Sequence, residues 1–209
     1  MNGEVFFRMF AGVLFFSALA ISIYFRSGAE RASGEQLDRS EEGKALRITL
    51  RLGGLLLWLT LIAYLINPVW MGWASYASPV WLRWLGMLTA GTGLALTFWM
   101  FRSLGKNITD TVVTRREHQL VTHGPYRWIR HPLYTFGTLF YLGLGLIAAS
   151  WLIMLMACLA FFLLSLRTPK EEAQLLARFG DEYAVYMEST GRYLPKLSSL
   201  LRRSADSPA

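Results

Sequence analysis

One cysteine and three histidines in 209 residues leave little room for disulfide or metal chemistry. Cys158 has no partner for an intrachain disulfide, and no Cys/His spacing suited to structural zinc occurs, so no metal site is expected. Charge is scarce too. Asp, Glu, Lys and Arg make up 17% of the chain, against roughly 25% in a soluble domain. No internal repeat and no segment resembling a soluble domain is found. What is abundant is apolar surface: 54% hydrophobic and 14% aromatic residues with a positive mean hydropathy. That balance excludes an ordinary soluble domain and implies an integral membrane protein.

Five apolar runs approach the roughly 17–25 residues a helix needs to cross a bilayer, at 5–24, 48–66, 80–101, 133–149 and 151–166. The last two are nearly continuous, and one helix of their combined length would overshoot the membrane. A tight helical hairpin around Ser150 is predicted instead, each arm slightly short and therefore buried or set in thinned bilayer. Ala18-Leu19-Ala20 resembles a signal-peptide cleavage site. The apolar run continues through Phe25 with no basic segment ahead of it, so it is read as a retained first span. The expected fold class is thus an all-α integral membrane protein of about five transmembrane helices, with interfacial helices on the cytoplasmic side at the C-terminus.

Basic residues collect in three places. Arg26, Arg31, Arg39, Lys44, Arg47 and Arg51 separate the first two runs; Arg102, Lys106, Arg115, Arg116, Arg127 and Arg130 separate the third and fourth. Arg167, Lys170, Arg178, Arg192, Lys196, Arg202 and Arg203 follow the fifth. The connections at 67–79 and Ser150 carry none. The positive-inside rule then places both long loops and the C-terminal tail in the cytoplasm and the N-terminus outside. A net charge of +7 spread along span flanks fits topology and contact with anionic lipid head groups, not nucleic acid. Three parts are expected: 1–103 with three spans and the cytoplasmic loop 25–47, a core at 104–195, and a basic, flexible tail at 196–209. The loop at 25–47 reads as a solvated connector.

Two polar stretches stand out. The first contains "HGPYRWIRHPLY", 123–134, at the end of a connection too long to be casual. Gly124-Pro125 marks a turn. Pro132 suits the first position of the fourth helix, where a missing N–H costs nothing, and Arg130 and His131 then stand at a helix N-terminus that favours anionic or electron-rich ligands. An interfacial belt of Tyr, Trp and Arg is the competing reading. The second stretch is "RTPKEEAQLLARFGDEYAVYMESTGRYLP", 167–195. Thr168-Pro169-Lys170-Glu171 has the form of a capping box opening a new helix, a structural use that competes with any chemical role for Glu171. Gly180 would end that helix. Tyr183 and Tyr186 read as interfacial packing, and Arg192 as a partner for lipid or a surface carboxylate. Arg8 lies within the first span and can snorkel. Because the fourth and fifth spans form a hairpin, Arg130–Tyr134 and Arg167–Glu172 must converge at one end.

"EHQLVTHGPYRWIRHPLY", followed after an apolar hairpin by "RTPKEEAQLLARFGDEYAVY", resembles the isoprenylcysteine carboxyl methyltransferase family of integral membrane methyltransferases, with phospholipid N-methyltransferases as more distant relatives. The resemblance covers 104–195 and rests on two separated motifs. It implies S-adenosylmethionine as cofactor, S-adenosylhomocysteine as product, and a lipophilic acceptor arriving from the bilayer. Carried over residue by residue, the family's cofactor pocket falls on His118, Gln119, Leu120, Val121, Tyr126, His131, Pro132, Leu133 and Tyr134. The acidic pair falls on Glu171 and Glu172, with Glu171 favoured as the cofactor contact. Arg167 matches a substrate-binding arginine and Arg130 is a second candidate; Arg167 and Glu171 are the catalytic candidates. Judged alone, His118 is equally an exposed loop histidine. The resemblance implies carboxyl O-methylation of a prenylcysteine-type acceptor, with phospholipid head-group N-methylation as the alternative. An inactive lipid-binding scaffold stays open. Transport of a charged solute fits poorly, since the last three spans hold almost no mid-bilayer charge.

Overall fold

The structure, a computed structural model, describes residues 3–33, 44–105 and 120–196. Six helices account for most of them: α1 (Gly3–Ser33), α2 (Lys44–Ile66), α3 (Val80–Leu104), α4 (Pro132–Ala148), α5 (Trp151–Phe179) and α6 (Asp181–Ser189). Short 3-10 turns occupy Pro68–Ala74 and Gly124–Arg127. Among the described residues, β pairing is limited to isolated bridges. Four helices are long and apolar enough to cross a membrane by length and composition, and Pro132–Ala148 is a shorter apolar helix. Across the described residues the protein has the nearly all-helical architecture of an integral membrane protein. Many large side chains on α1, α2 and α3, among them Phe16, Leu56, Leu59 and Leu88, point outward, as helix faces solvated by acyl chains should.

The tightest helix pair is α3 against α4. A Cβ at Gly86 would lie 2.7 Å from Leu146 Cβ, and one at Gly93 would lie 2.7 Å from Phe140 N. Between them Gly143 rests against the backbone of Ala90. Small residues at helical spacing let the two backbones meet, the usual source of helix association where lipid removes the hydrophobic driving force. α4 turns into α5 through Ala149, which takes the left-handed conformation at φ 49°, and Ser150, whose hydroxyl accepts from Ile153 N. Tyr76 N donates to the Ala149 carbonyl at 3.0 Å, holding the 67–79 connection on the hairpin tip.

At that same end a part-buried polar knot joins four helices. Arg83 on α3 donates to Glu4 on α1 at 2.7 Å and to the Ile147 carbonyl on α4 at 2.7 Å, and its other terminal nitrogen lies 3.4 Å from Tyr64 Oη on α2. The guanidinium also covers the Phe7 ring, 4.2 Å from its centroid. Glu4 and Arg26 are both on α1, 22 positions apart, or about 33 Å along the axis at 1.5 Å per residue. That distance is close to the hydrocarbon thickness of a bilayer, so the knot and the Arg26 level mark opposite ends of the bundle.

The expected helix start at Thr168-Pro169 is corrected. α5 runs unbroken from Trp151 to Phe179 with Pro169 inside it. Thr168 is fully buried, and its hydroxyl accepts a 2.7 Å bond from Tyr193 Oη instead of capping. Proline here forfeits the single bond toward the Ser165 carbonyl, and the packing of both helix halves holds the rod together. α5 is therefore not a short arm: it projects more than two turns past its apolar part. Gly180, at φ 54°, ends it, and α6 follows at once. Beyond α6 the chain doubles back beside the loop that leads into α4: Arg130 N donates to Gly191 O at 2.9 Å, His131 N to Arg192 O at 3.0 Å, and Gly191 N to Trp128 O at 3.0 Å.

Candidate active site

The start of α4, the projecting part of α5 and the 190–193 segment meet at one point. His131 is the N-cap residue of α4 and is buried. Its two ring nitrogens face two carboxylates: Nδ1 lies 3.4 Å from Glu171 Oε2, and Nε2 lies 3.3 Å from Glu172 Oε1. Burial opposes protonation of the imidazole, but the hydrogen bonds to Glu171 and Glu172 outweigh it and raise its pKa above the ordinary value. The two carboxylates thus favour the charged form of the ring. Its ring stacks on Tyr134, with centroids 5.4 Å apart.

The two acids, adjacent in sequence, have different surroundings. Glu171 accepts from Tyr134 Oη, which is 2.8 Å from each carboxylate oxygen, and pairs with Arg167 Nε at 2.7 Å. Arg167 and Glu171 are one turn apart on α5, and only an unbroken helix through Pro169 gives them that register. Glu172 is flanked by two guanidiniums: Arg130 Nε donates at 3.0 Å, while Arg192 donates through Nε at 3.2 Å and through a terminal nitrogen to the other oxygen. Arg130 also donates to the carbonyls of Met187 and Thr190. Side-chain exposure is 8% for Glu172 and 16% for Glu171, so Glu171 is the more accessible carboxylate.

Six of the thirteen residues singled out from the sequence therefore form one polar cluster: Arg130, His131, Tyr134, Arg167, Glu171 and Glu172. The others do not join it. Pro132 opens α4, Leu133 packs with Phe101 and Phe136 on the other side of that helix, and Val121 is buried. Leu120 is half-buried. The Tyr126 carbonyl accepts a 2.6 Å bond from Tyr186 Oη, which ties the 3-10 turn to α6, and burial raises the phenol pKa of Tyr126. His118 and Gln119 lie outside the described residues.

Three residues with prominent roles here were not among those candidates. Arg192 clamps Glu172, so its carboxylate partner is an internal one. Tyr193 sits over the site, its ring centroid 6.0 Å from His131 and 6.5 Å from Tyr134, and its carbonyl accepts from Thr135 at 2.7 Å. Thr190 is buried and receives Arg130. No spacing announces them, because an extended segment after a helix becomes specific only through its partner.

A family model described as phospholipid methyltransferase matches residues 81–182. The chain is 32% identical over 145 residues, 68% of its length and 63% of the relative's, to the cobalt-zinc-cadmium resistance protein CzcN of Cupriavidus metallidurans. It is 30% identical over 118 residues, 55% of its length and 42% of the relative's, to protein-S-isoprenylcysteine O-methyltransferase of Tribolium castaneum. Among solved structures, the eukaryotic intramembrane Ras methyltransferase ICMT superposes with a TM-score of 0.56 at 22% identity, covering 87% of this chain and 66% of that one. The chain thus spans less than two thirds of the length of these relatives. Its similarities are thus to phospholipid and isoprenylcysteine membrane methyltransferases.

Proposed function

We propose that the protein is an S-adenosylmethionine-dependent methyltransferase acting at the membrane on a lipophilic carboxylate of the prenylcysteine type. The observation that carries this reading is the cluster in which Glu171 is held by Tyr134, Arg167 and His131 at the polar end of an apolar bundle. The donor set fits the cofactor's chemistry. S-adenosylmethionine carries a sulfonium, an ammonium and a carboxylate. The site presents an acidic edge at Glu171, fixed cations, the start of α4 and the Tyr134 ring; Leu120, Val121, Tyr126 and Pro132, outside the polar cluster, are the proposed bed for an adenine, and Leu133 faces away from it. His118 and Gln119 belong to the same proposed pocket. The methyltransferase core is assigned to 104–195, preceded by the spans within 1–103 and followed by the tail at 196–209. By the positive-inside rule the core faces the cytoplasm and the N-terminus faces out.

When bound, the cofactor supplies an electrophilic methyl group, which an acceptor oxygen takes as the C–S bond breaks and its electron pair stays on sulfur. Arg167 orients the acceptor carboxylate, whose unperturbed pKa near 4 leaves it ionised without help. Tyr134 and His131 hold Glu171 in one rotamer, which fixes the donor and aligns the reacting atoms, the main requirement of an in-line displacement. Tyr193 and the start of α4 exclude water. An amine acceptor, as in phospholipid head-group methylation, must shed a proton and so needs a base. His131 is unsuited to that task because Glu171 and Glu172 engage both of its ring nitrogens, and this favours the carboxylate.

A transfer assay with labelled methyl donor tests the reading against total membrane lipid, a prenylcysteine analogue and a phospholipid amine. Labelled ester is the expected product. Calorimetry detecting no binding of S-adenosylmethionine across several lipid conditions would overturn the enzymatic reading.

A further inference from the structure

Proline inside a helix weakens it twice. It has no N–H to donate four residues back and its ring crowds that carbonyl, and it pushes the residue before it away from the α region. In α5 the proline is Pro169 and the residue before it is Thr168, yet the helix continues to Phe179. The weak point falls between Arg167 and Glu171, whose 2.7 Å pairing requires the two halves of the helix in register.

Two consecutive residues of the returning segment grip α5 on either side of it. Before the proline, Tyr193 Oη donates to Thr168 Oγ1 at 2.7 Å, and the Tyr193 ring meets Phe161 edge to face with centroids 5.1 Å apart. After the proline, Arg192 donates to both oxygens of Glu172. The same two residues are fixed to the start of α4, through His131 N to Arg192 O at 3.0 Å and Thr135 Oγ1 to Tyr193 O at 2.7 Å. That end of α4 carries His131 and Tyr134, which hold Glu171 from the opposite side.

We infer that Arg192 and Tyr193 splint α5 across Pro169, and that Tyr193 is thereby a positioning residue for Glu171. Without the splint, the half of α5 after Pro169 tilts. Such a tilt moves Glu171 and leaves Arg167 in place, because Arg167 lies before the weak point. Tyr193 attaches at Thr168, the fully buried residue that the proline pushes from helical geometry. A direct contact between Tyr193 and a ligand would not depend on Pro169, whereas a splint does.

This inference rests on the reading of Glu171 as a cofactor contact, so one of its two readouts needs no ligand. The full chain in nanodiscs is titrated with S-adenosylmethionine by calorimetry, and hydrogen exchange of the amides at 170–179 is followed in the ligand-free protein. Tyr193→Phe should weaken cofactor binding about fivefold, the scale of one net hydrogen bond, and speed exchange at 170–179 by a similar factor. Thr168→Val, which removes the acceptor at nearly constant shape, should do the same. Pro169→Ala restores the missing donor and should bind the cofactor within about twofold of wild type. In the double variant Pro169→Ala/Tyr193→Phe both effects should disappear. An equal loss of binding from Tyr193→Phe in the two backgrounds overturns the splint and makes Tyr193 a ligand contact. Unchanged exchange in Tyr193→Phe or Thr168→Val also overturns it, as does a Pro169→Ala variant that binds as poorly as Tyr193→Phe. A wild type that binds no S-adenosylmethionine removes the enzymatic reading, and the exchange rates then support or overturn the splint by themselves.

Discussion

Replacing Glu172 should be the most damaging single change near the site, for reasons unrelated to chemistry. Its carboxylate is 8% exposed and accepts from Arg130, whose side chain is 9% exposed, and from Arg192, whose side chain is 47% exposed. Removing one partner of a buried ion pair costs about 3–5 kcal/mol, because the other charge is left without compensation. The Arg192 share is discounted to about 0.2–1 kcal/mol, the range for solvent-screened pairs. Glu172→Ala should therefore cost about 3–5 kcal/mol, nearly all of it through Arg130. At roughly 2–4 °C per kcal/mol for a chain of this size, a fall of about 10 °C in the midpoint of thermal inactivation is expected. Glu172→Gln keeps an acceptor for Arg130 and should lose about half as much. The assay is residual cofactor binding after heating in detergent at one fixed scan rate, since membrane proteins seldom unfold reversibly. Arg130→Ala and Arg192→Ala separate the two arms, and the double variants of each with Glu172→Ala give the coupling. A coupling to Arg192 as large as that to Arg130, or a shift below about 2 °C for Glu172→Ala, would refute the reasoning.

The folded pKa of His131 lies above its unfolded value of 6.5. Its ion-pair contribution is therefore complete below about pH 6.5 and is lost as pH rises through the raised folded value; the stability gap between wild type and His131→Gln, read by thermal inactivation, should narrow over that window. Tyr134→Phe removes the hydroxyl that contacts both Glu171 oxygens and should weaken S-adenosylmethionine binding about tenfold by calorimetry, a hydrogen bond to a charged group being worth about 1.5–3 kcal/mol. Gly143→Ala puts a methyl group against the Ala90 backbone and should lower yield and thermal midpoint. Gly91→Ala, on the same helix as Ala90 but with open space at its Cβ, should be neutral or stabilising by up to about 1 kcal/mol.

Much of the bundle is legible in hydropathy alone. Each apolar run corresponds to a helix, and Ser150 turns the chain because a long apolar segment has no other compact solution. The convergence of His131, Tyr134, Glu171 and Glu172 follows from that hairpin as simple geometry. What the sequence conceals depends on packing. Thr168-Pro169 has every local mark of a helix start, yet burial of Thr168 under Tyr193 overrides the local signal and keeps α5 whole. The pairing of 190–193 with 128–131 uses backbone groups, which leave no trace in residue type. Arg83 looks like an ordinary flanking arginine until Glu4, Tyr64 and Ile147 are brought to it from three other helices.

The difference between the two polar clusters bears on which acid serves a ligand. At the far end, Arg83 divides its donors among α1, α2 and α4, and that knot is complete as it stands. Glu172 has the same character: two guanidiniums and the His131 ring occupy it, and the partners of Arg130 extend to the carbonyls at 187 and 190. Drawing Glu172 toward a ligand would release the tail from the loop before α4 and dismantle the wall of the site. Glu171 carries fewer such obligations. Its partners Arg167, Tyr134 and His131 all belong to the proposed pocket, and a cation beside it would strengthen the field they already create. On this argument we propose Glu171 as the ligand carboxylate and Glu172 as the positioning one. Glu171→Gln should then abolish cofactor binding with little change in thermal midpoint, while Glu172→Gln should lower the midpoint and spare binding measured well below it. The reverse pattern would exchange the two roles.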